Sequence, residues 1–461
     1  MDLIFGMLFS FIALIWAVYK NIFIGLPLVL ILFIFAFLAW KRGYTLKEIV
    51  QMSYLGGKKS FLVLEIFVLI GAITGSWLAA GTVPGIVYYG IKYMPPQFFV
   101  LFVFLLSSLV SFLLGTALGT VGTIGVSLIL MARTGNVNLD LAAGAIIAGA
   151  YFGDRCSPMS SSAHLVASLT GTDIYENIKN MFKTGGIPLL LTCGFYLFFS
   201  AIKPLNIQEN TITKEIINVF EISWLVLLPA VVILVLALWR VDIKISMFVS
   251  ILIALVISLS LQNNDFFANL GYIIMGFNLP PDNTLAPIIK GGGIISMVKP
   301  SFIVFTSCCL TGIFEKTGML DNLQSFINKA RYRWQLFAMT GIFSVLTSIF
   351  GCSQTIAVVL TNQLVEKTYK KRKVDQYNLA LDLENTGIVI AALIPWNIAA
   401  LVPTTTLNVS PVGFLPYAVY LYLIPLFNLI SLKIKGDSKG LKATGKKILY
   451  KMPNNRNYKL G

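Results

Sequence analysis

The chain has 461 residues, a hydrophobic share of 57% and a mean hydropathy of +0.81, which exclude a soluble enzyme and define a polytopic membrane protein. Its formal charge of +15 lies in short Lys/Arg segments beside apolar runs, a pattern that fits the positive-inside rule and anionic lipid headgroups and speaks against nucleic acid. Five cysteines without framework or metal spacing, and a single His, exclude a disulfide scaffold and a multi-His metal centre.

Residues 3–19 and 22–40 are each long enough to span a bilayer, and the first lacks the basic start and cleavage site of a signal peptide, so it reads as a retained span. The segment 41–59 carries five basic residues against one Glu and is expected as a cytoplasmic loop. Residues 61–91 hold Glu65 inside an apolar helix, where it reads as a satisfied polar residue near the interface. Residues 97–131 are too long for one simple span. Their centre, GTALGTVGTIG at 115–125, admits either a GxxxG contact through Gly115 and Gly119 or an opened, re-entrant backbone. An Ala/Gly-rich helix over 139–171 is interrupted by Gly153-Asp154-Arg155-Cys156-Ser157-Pro158. A polar connector (172–184) and a span (185–202) complete this half.

The midpoint linker, 203–222, places Ile212, Ile216 and Phe220 at helical spacing opposite Lys214, Glu215, Asn218 and Glu221, which suggests an interfacial helix. Spans at 223–239 and 246–261 lead through a polar stretch to Gly291-Gly292-Gly293. The apolar run 294–314 contains Lys299-Pro300, and the over-long run 335–364 contains Gly351-Cys352-Ser353-Gln354-Thr355. After a basic loop at 366–375, a second helix (377–406) is broken at Ile394-Pro395-Trp396-Asn397, and a last span covers 413–432.

This order predicts an all-α polytopic fold of roughly 10–12 transmembrane helices in two inverted repeats, each with a broken helix and an over-long, re-entrant-capable segment. The expected units are an N-terminal half (1–202), the linker (203–222), a C-terminal half (223–432) and a basic cytoplasmic tail (433–461).

An Asp at mid-bilayer costs roughly 2.5–3.5 kcal/mol on insertion scales, so Asp154 is expected to face a partner, a cavity or an ion. The bland alternative is a kinked structural helix in which Asp154 pairs with Arg155. A small cation needs oxygen ligands. The first break supplies Asp154, Ser157, Ser160, Ser161 and Ser162; the second supplies Asn397, with Thr404 to Thr406 further along and Glu384 and Asn385 some three turns earlier. The two breaks are expected to face each other across one central site. No P-loop is present for an ATP-driven pump, and broken helices with polar breaks argue for transport rather than for a passive scaffold or sensor.

GAYFGDRCSPMSSSAHLVASLTGTD resembles the first signature, GDKxSPLSDTTNLA, of the NhaC-type sodium/proton antiporters, a branch of the ion-transporter superfamily. GGGIISM at 291–297 with GIFEKTGML at 312–320, and LENTGIVIAALIPWNIAA at 383–400, resemble two further landmarks of that family, in its order. The resemblance implies a secondary Na+/H+ antiporter, not an enzyme, in a bacterial inner or plasma membrane, with Asp154 as the sodium-binding carboxylate and Na+ and H+ as cargo rather than cofactors. It implies the bilayer, a small cation and a proton as partners, with an organic acid or amino acid as the alternative cargo, and a homodimer.

Three departures stand out: Ser161 and Asn385 replace family Asp residues, and His164 replaces an Asn. The loss of two carboxylates favours the organic-solute alternative and predicts that restoring both strengthens cation dependence. His164, Arg155 and Lys299 are the candidate coupling residues.

Overall fold

A computed structural model describes residues 2–436, apart from 21, 203, 206–208, 281–282, 284, 287–288 and 318–329. Residues 318–320 of the second landmark and 437–461 of the basic tail thus lie outside the described residues. The helices of the first half are α1 (Asp2–Tyr19), α2 (Gly25–Lys41), α3 (Leu46–Lys58), α4 (Phe61–Ala79), α5 (Thr82–Tyr93), α6 (Phe99–Leu114), α7 (Ala117–Thr134), α8 (Leu139–Cys156), α9 (Ser161–Thr170) and α10 (Ile174–Ile202). The linker forms α11 (Glu209–Val219), which buries Ile216, and Phe220 just past its end is buried too; the Ile212 side chain lies outside the described residues.

The second half comprises α12 (Leu228–Leu238), α13 (Ile243–Ser260), α14 (Phe266–Met275), α15 (Val298–Thr317), α16 (Arg333–Gly351), α17 (Gln354–Lys371), α18 (Gln376–Ala391), α19 (Ile398–Leu407) and α20 (Val419–Gly436). A two-residue antiparallel ladder, β1 (Phe277–Asn278) with β2 (Lys290–Gly291), is the one sheet among the described residues. Among the described residues six helices are long and apolar enough to cross a membrane alone, and α3 and α4, bent by 41° at their junction, form a seventh when taken as one span. Shorter apolar helices such as α2, α19 and α20 make up the rest of the polytopic bundle.

The expected loop at 41–59 is instead α3. Thr45 and Glu48 close a capping box, with the Thr45 N–H donating to Glu48 Oε2 at 2.7 Å and the Glu48 N–H to Thr45 Oγ1 at 3.3 Å. Basic charge alone therefore does not make a loop when a helix start is written beside it. Glu65 is satisfied as expected, by an ion pair at 2.5 Å with Lys244.

The two halves break their helices in the same way. In the first, α6 ends at Gly115 in the left-handed region (φ +67°), Thr116 turns extended, and α7 begins. In the second, α16 ends at Cys352 (φ +49°), Ser353 turns extended, and α17 begins. Of the two readings of the 115–125 stretch, opened backbone is thus the observed one at Gly115. The next helix of each half also breaks. α8 stops at Cys156 and α9 restarts behind the N-cap Ser160; α18 stops at Ala391 and α19 restarts behind the N-cap Asn397. Each cap side chain accepts a backbone N–H of its new helix, replacing a bond that the break removed.

What holds α8 in place is close backbone contact with α6. A Cβ on Gly153 would lie 2.2 Å from the Ser111 carbonyl carbon and 2.3 Å from the Phe112 nitrogen. Gly153→Ala is therefore expected to force the two helices apart at a cost of at least about 1–3 kcal/mol, because the obstacle is backbone rather than a movable side chain. The check is a lowered melting temperature in detergent together with weakened transport, since Asp154 is the next residue.

Candidate functional site

Three half-helices begin around one carboxylate. Asp154 sits two residues before the end of α8 and is 5% exposed. Ser162, in the first turn of α9, donates to its Oδ2 at 2.8 Å, and the N-cap Ser160 donates to Oδ1 at 3.4 Å. Gln354, the first residue of α17, donates to Oδ2 at 2.8 Å, and the backbone N–H of Ala117, the first residue of α7, also reaches the carboxylate. Helix N-termini carry partial positive charge and unpaired N–H groups, so their convergence favours an anion at this point. Gln354 brings the second half to the first break. The C-S-Q-T interruption of an over-long apolar run was its only trace in the sequence.

Ser160, Ser162 and Gln354 each have acceptor as well as donor capacity. Here they hold the carboxylate as donors. Turned to present oxygen, the same groups join a carboxylate oxygen in the hard-oxygen environment that a small alkali cation requires.

The second break reaches the same neighbourhood through structural bonds. Asn397 donates from Nδ2 to the Ser348 carbonyl at 2.8 Å and caps Ala399 with Oδ1 at 3.0 Å, while the Ile398 N–H bonds Cys352 O at 2.9 Å. Tyr151 of α8 donates to Ala399 O at 2.8 Å. Both breaks therefore meet the Gly351–Gln354 corner, but Asn397 spends its amide on fixing that corner. Ser157 plays the matching part in the first half, donating to Phe112 O at 2.6 Å and accepting from the Met159 N–H at 3.1 Å.

Arg155 points away from Asp154. Successive helical side chains diverge by about 100°, and the fully buried guanidinium contacts Asn385, Tyr420, Thr184 and the Met181 carbonyl. Asn385 Oδ1 accepts from both Nε (3.1 Å) and Nη2 (2.5 Å). The alternative of an Asp154–Arg155 pair is thereby overturned.

Glu384 opens a π-helical turn, Glu384–Ile388, within α18. It is fully buried, neither carboxyl oxygen has a hydrogen-bond partner among the described residues, and it lies within electrostatic reach of Arg155 and Asp154. π-turns inside α-helices are frequent at functional sites.

The remaining candidates lie elsewhere. Ser161 and His164 are exposed on α9, with His164 Nε2 3.0 Å from Pro158 O, and Lys299 is exposed in the first turn of α15. Thr404 bonds back to Ala400 O, and Thr405 and Thr406 lie at the far end of α19. A buried network that the sequence reading did not flag, Arg333–Asp382 at 2.6 Å with the Tyr369 hydroxyl also on Asp382 at 2.6 Å, ties α16, α17 and α18 together.

These placements change the meaning of the missing acids. Asn385 serves Arg155, and Ser161 faces outward, so restoring both carboxylates does not rebuild one cation site. Asn385→Asp is expected to pair with Arg155 and stabilise the fold by about 1 kcal/mol, the difference between a neutral and a charge-assisted hydrogen bond. The measurement is melting temperature with and without sodium; the gain should be the same in both.

A buried carboxylate cradled by the starts of half-helices, within a bundle of membrane-length apolar segments, defines a secondary transporter rather than an enzyme. The sequence profile of the Na+/H+ antiporter family matches residues 149–435, and the chain belongs to that family. It is 28% identical over 407 residues to the malate-2H(+)/Na(+)-lactate antiporter of Bacillus subtilis, covering 86% of this chain and 87% of the relative. It is 28% identical over 370 residues to the Na(+)/H(+) antiporter NhaC of Alkalihalophilus pseudofirmus, covering 79% and 80%. To the arginine/ornithine antiporter ArcD of Halobacterium salinarum it is 26% identical over 400 residues, covering 84% and 82%. The protein is a multi-pass plasma-membrane transporter.

Proposed function

We propose that the protein exchanges Na+ for H+ at a site centred on Asp154, with Ser160, Ser162 and Gln354 as the neutral oxygen ligands. The observation that carries this reading is the convergence of α7, α9 and α17 on the Asp154 carboxylate. Proton and cation compete for the carboxylate, and alternating access moves it between the two sides of the membrane. Two carboxylates are buried together, Asp154 with donors and Glu384 without them. Asp154 therefore holds the cation and Glu384 answers electrostatically to its arrival, with Arg155 as the fixed positive charge near Glu384.

A second reading, exchange of an organic acid or amino acid, is supported by relatives named for malate, lactate, arginine and ornithine. Proteoliposomes decide between the two. With sodium and proton gradients imposed separately, a pH gradient should drive saturable 22Na+ uptake. Absence of that flux, together with movement of a labelled organic acid or amino acid, overturns the first reading in favour of the second.

A further inference from the structure

A cavity of about 390 Å3 lies at the far end of α19, where Thr405, Thr406 and Asn408 meet α4, α7, the end of α14, β2 and the Gly292 that follows it. α19 rises about 15 Å over its ten residues, so this cavity is separate from the Asp154 corner at the helix's other end. The glycine landmark that forms its floor is anchored to α4 by the Gly293 N–H donating to Gly71 O at 2.8 Å.

Among the described residues the lining carries one sign of charge: Arg133, from the last turn of α7, and Lys290, from β2, both line the cavity, and none of these lining residues is Asp or Glu. Neither cation has a carboxylate partner among the described residues. Arg133 makes a single long bond, Nη2 to Asn408 O at 3.4 Å, which leaves most of its fork of donors available. The Thr406 hydroxyl is buried without a hydrogen-bond partner. Apolar side chains line it as well, among them Leu78, Ile129, Leu130 and Met297. Small-molecule sites combine an apolar wall with a few placed polar groups in about 300–1,000 Å3, and an Arg fork matches an oxyanion in two bonds. Inorganic phosphate gains nothing from the apolar side, whereas a short carbon skeleton does.

We propose that this cavity binds a small organic anion with one or two carboxylates, its oxygens on Arg133, Lys290 and Thr406 and its carbon chain on the apolar wall. The site stands apart from the ion-exchange reading, because it uses none of the residues around Asp154.

The test is isothermal titration of the full chain in zwitterionic-lipid nanodiscs with sodium succinate, sodium phosphate and sodium chloride at matched sodium. Saturable succinate binding is expected, tighter than phosphate and absent for chloride. Arg133→Gln with Lys290→Gln should weaken it at least about tenfold, or about 1.4 kcal/mol. Arg133→Lys should keep it, and Thr406→Val should weaken it without removing charge. Asp154→Asn should bind succinate as the wild type does, even if sodium exchange is lost. The proposal falls if succinate does not bind or phosphate binds more tightly. It falls equally if the double variant binds unchanged, or if Asp154→Asn removes binding. Loss of succinate binding in anionic-lipid nanodiscs would assign the cavity to a lipid headgroup, and that result also overturns it.

Discussion

Asp154→Asn should reduce coupled exchange at least about a hundredfold while leaving the protein folded. The carboxylate carries the full charge on which the starts of α7, α9 and α17 converge, and the variant keeps its size and shape. A hundredfold loss corresponds to about 3 kcal/mol, within the range expected when a buried, hydrogen-bonded charge is removed. Stability should change far less. Gln354 and Ser162, both on Oδ2, can still donate to the remaining amide oxygen, and the Ser160 hydroxyl on the other side can rotate to accept from the new NH2. The check is paired: gradient-driven 22Na+ uptake in proteoliposomes and thermal unfolding of the same preparation in detergent. Near-wild-type exchange would remove Asp154 from the mechanism, and a collapsed melting transition would reduce it to a structural role.

The neighbouring residue should behave in the opposite way. Arg155→Leu is expected to damage folding first, because the guanidinium is fully buried and its removal leaves Asn385 Oδ1 without its donor, while the Met181 carbonyl keeps only the Thr184 hydroxyl at 3.2 Å as a side-chain donor. Each buried group left unsatisfied costs about 1–3 kcal/mol. Even one such loss takes a sizeable part of the 5–15 kcal/mol that holds a typical domain together. Glu384 also loses its nearby positive charge. Arg155→Lys should rescue only in part, since a point charge cannot make the paired contact to Asn385. A melting temperature for Arg155→Leu equal to that of the wild type would show that the buried network contributes nothing. A variant that folds well but is inactive would move Arg155 from the scaffold into the exchange site.

The contrast between these adjacent residues shows what the sequence determines by itself. Hydropathy and length define a polytopic α-helical membrane protein, because a bilayer leaves unpaired backbone no other partner than its own helix. The signature around Asp154 carries the family, and Pro158 with the serines that follow marks the first break. Internal order is legible too. An over-long run followed by a broken helix appears twice, and the structure repeats it down to a left-handed residue at Gly115 and Cys352. The fact that α3 is a helix was also written locally, in Thr45 and Glu48, although the basic charge around it pointed to a loop.

Only the tertiary structure decided which polar residues share a site. Asp154 and Arg155 are neighbours in the chain, yet they face different partners because one residue turns a helix by about 100°. Asn385 looked like a lost cation ligand and is the acceptor for Arg155; Asn397 looked like a ligand and is a cap and a tie. Gln354 lies 200 residues from Asp154 in sequence and donates to it at 2.8 Å. Glu384 shows as exceptional only once its lack of partners in a closed interior is visible. Local sequence fixes where a helix starts and stops, since caps and turns act over three or four residues. Which helix starts meet depends on packing between segments tens to hundreds of residues apart, and close contacts such as Gly153 against Ser111, 42 residues away, set the alignment.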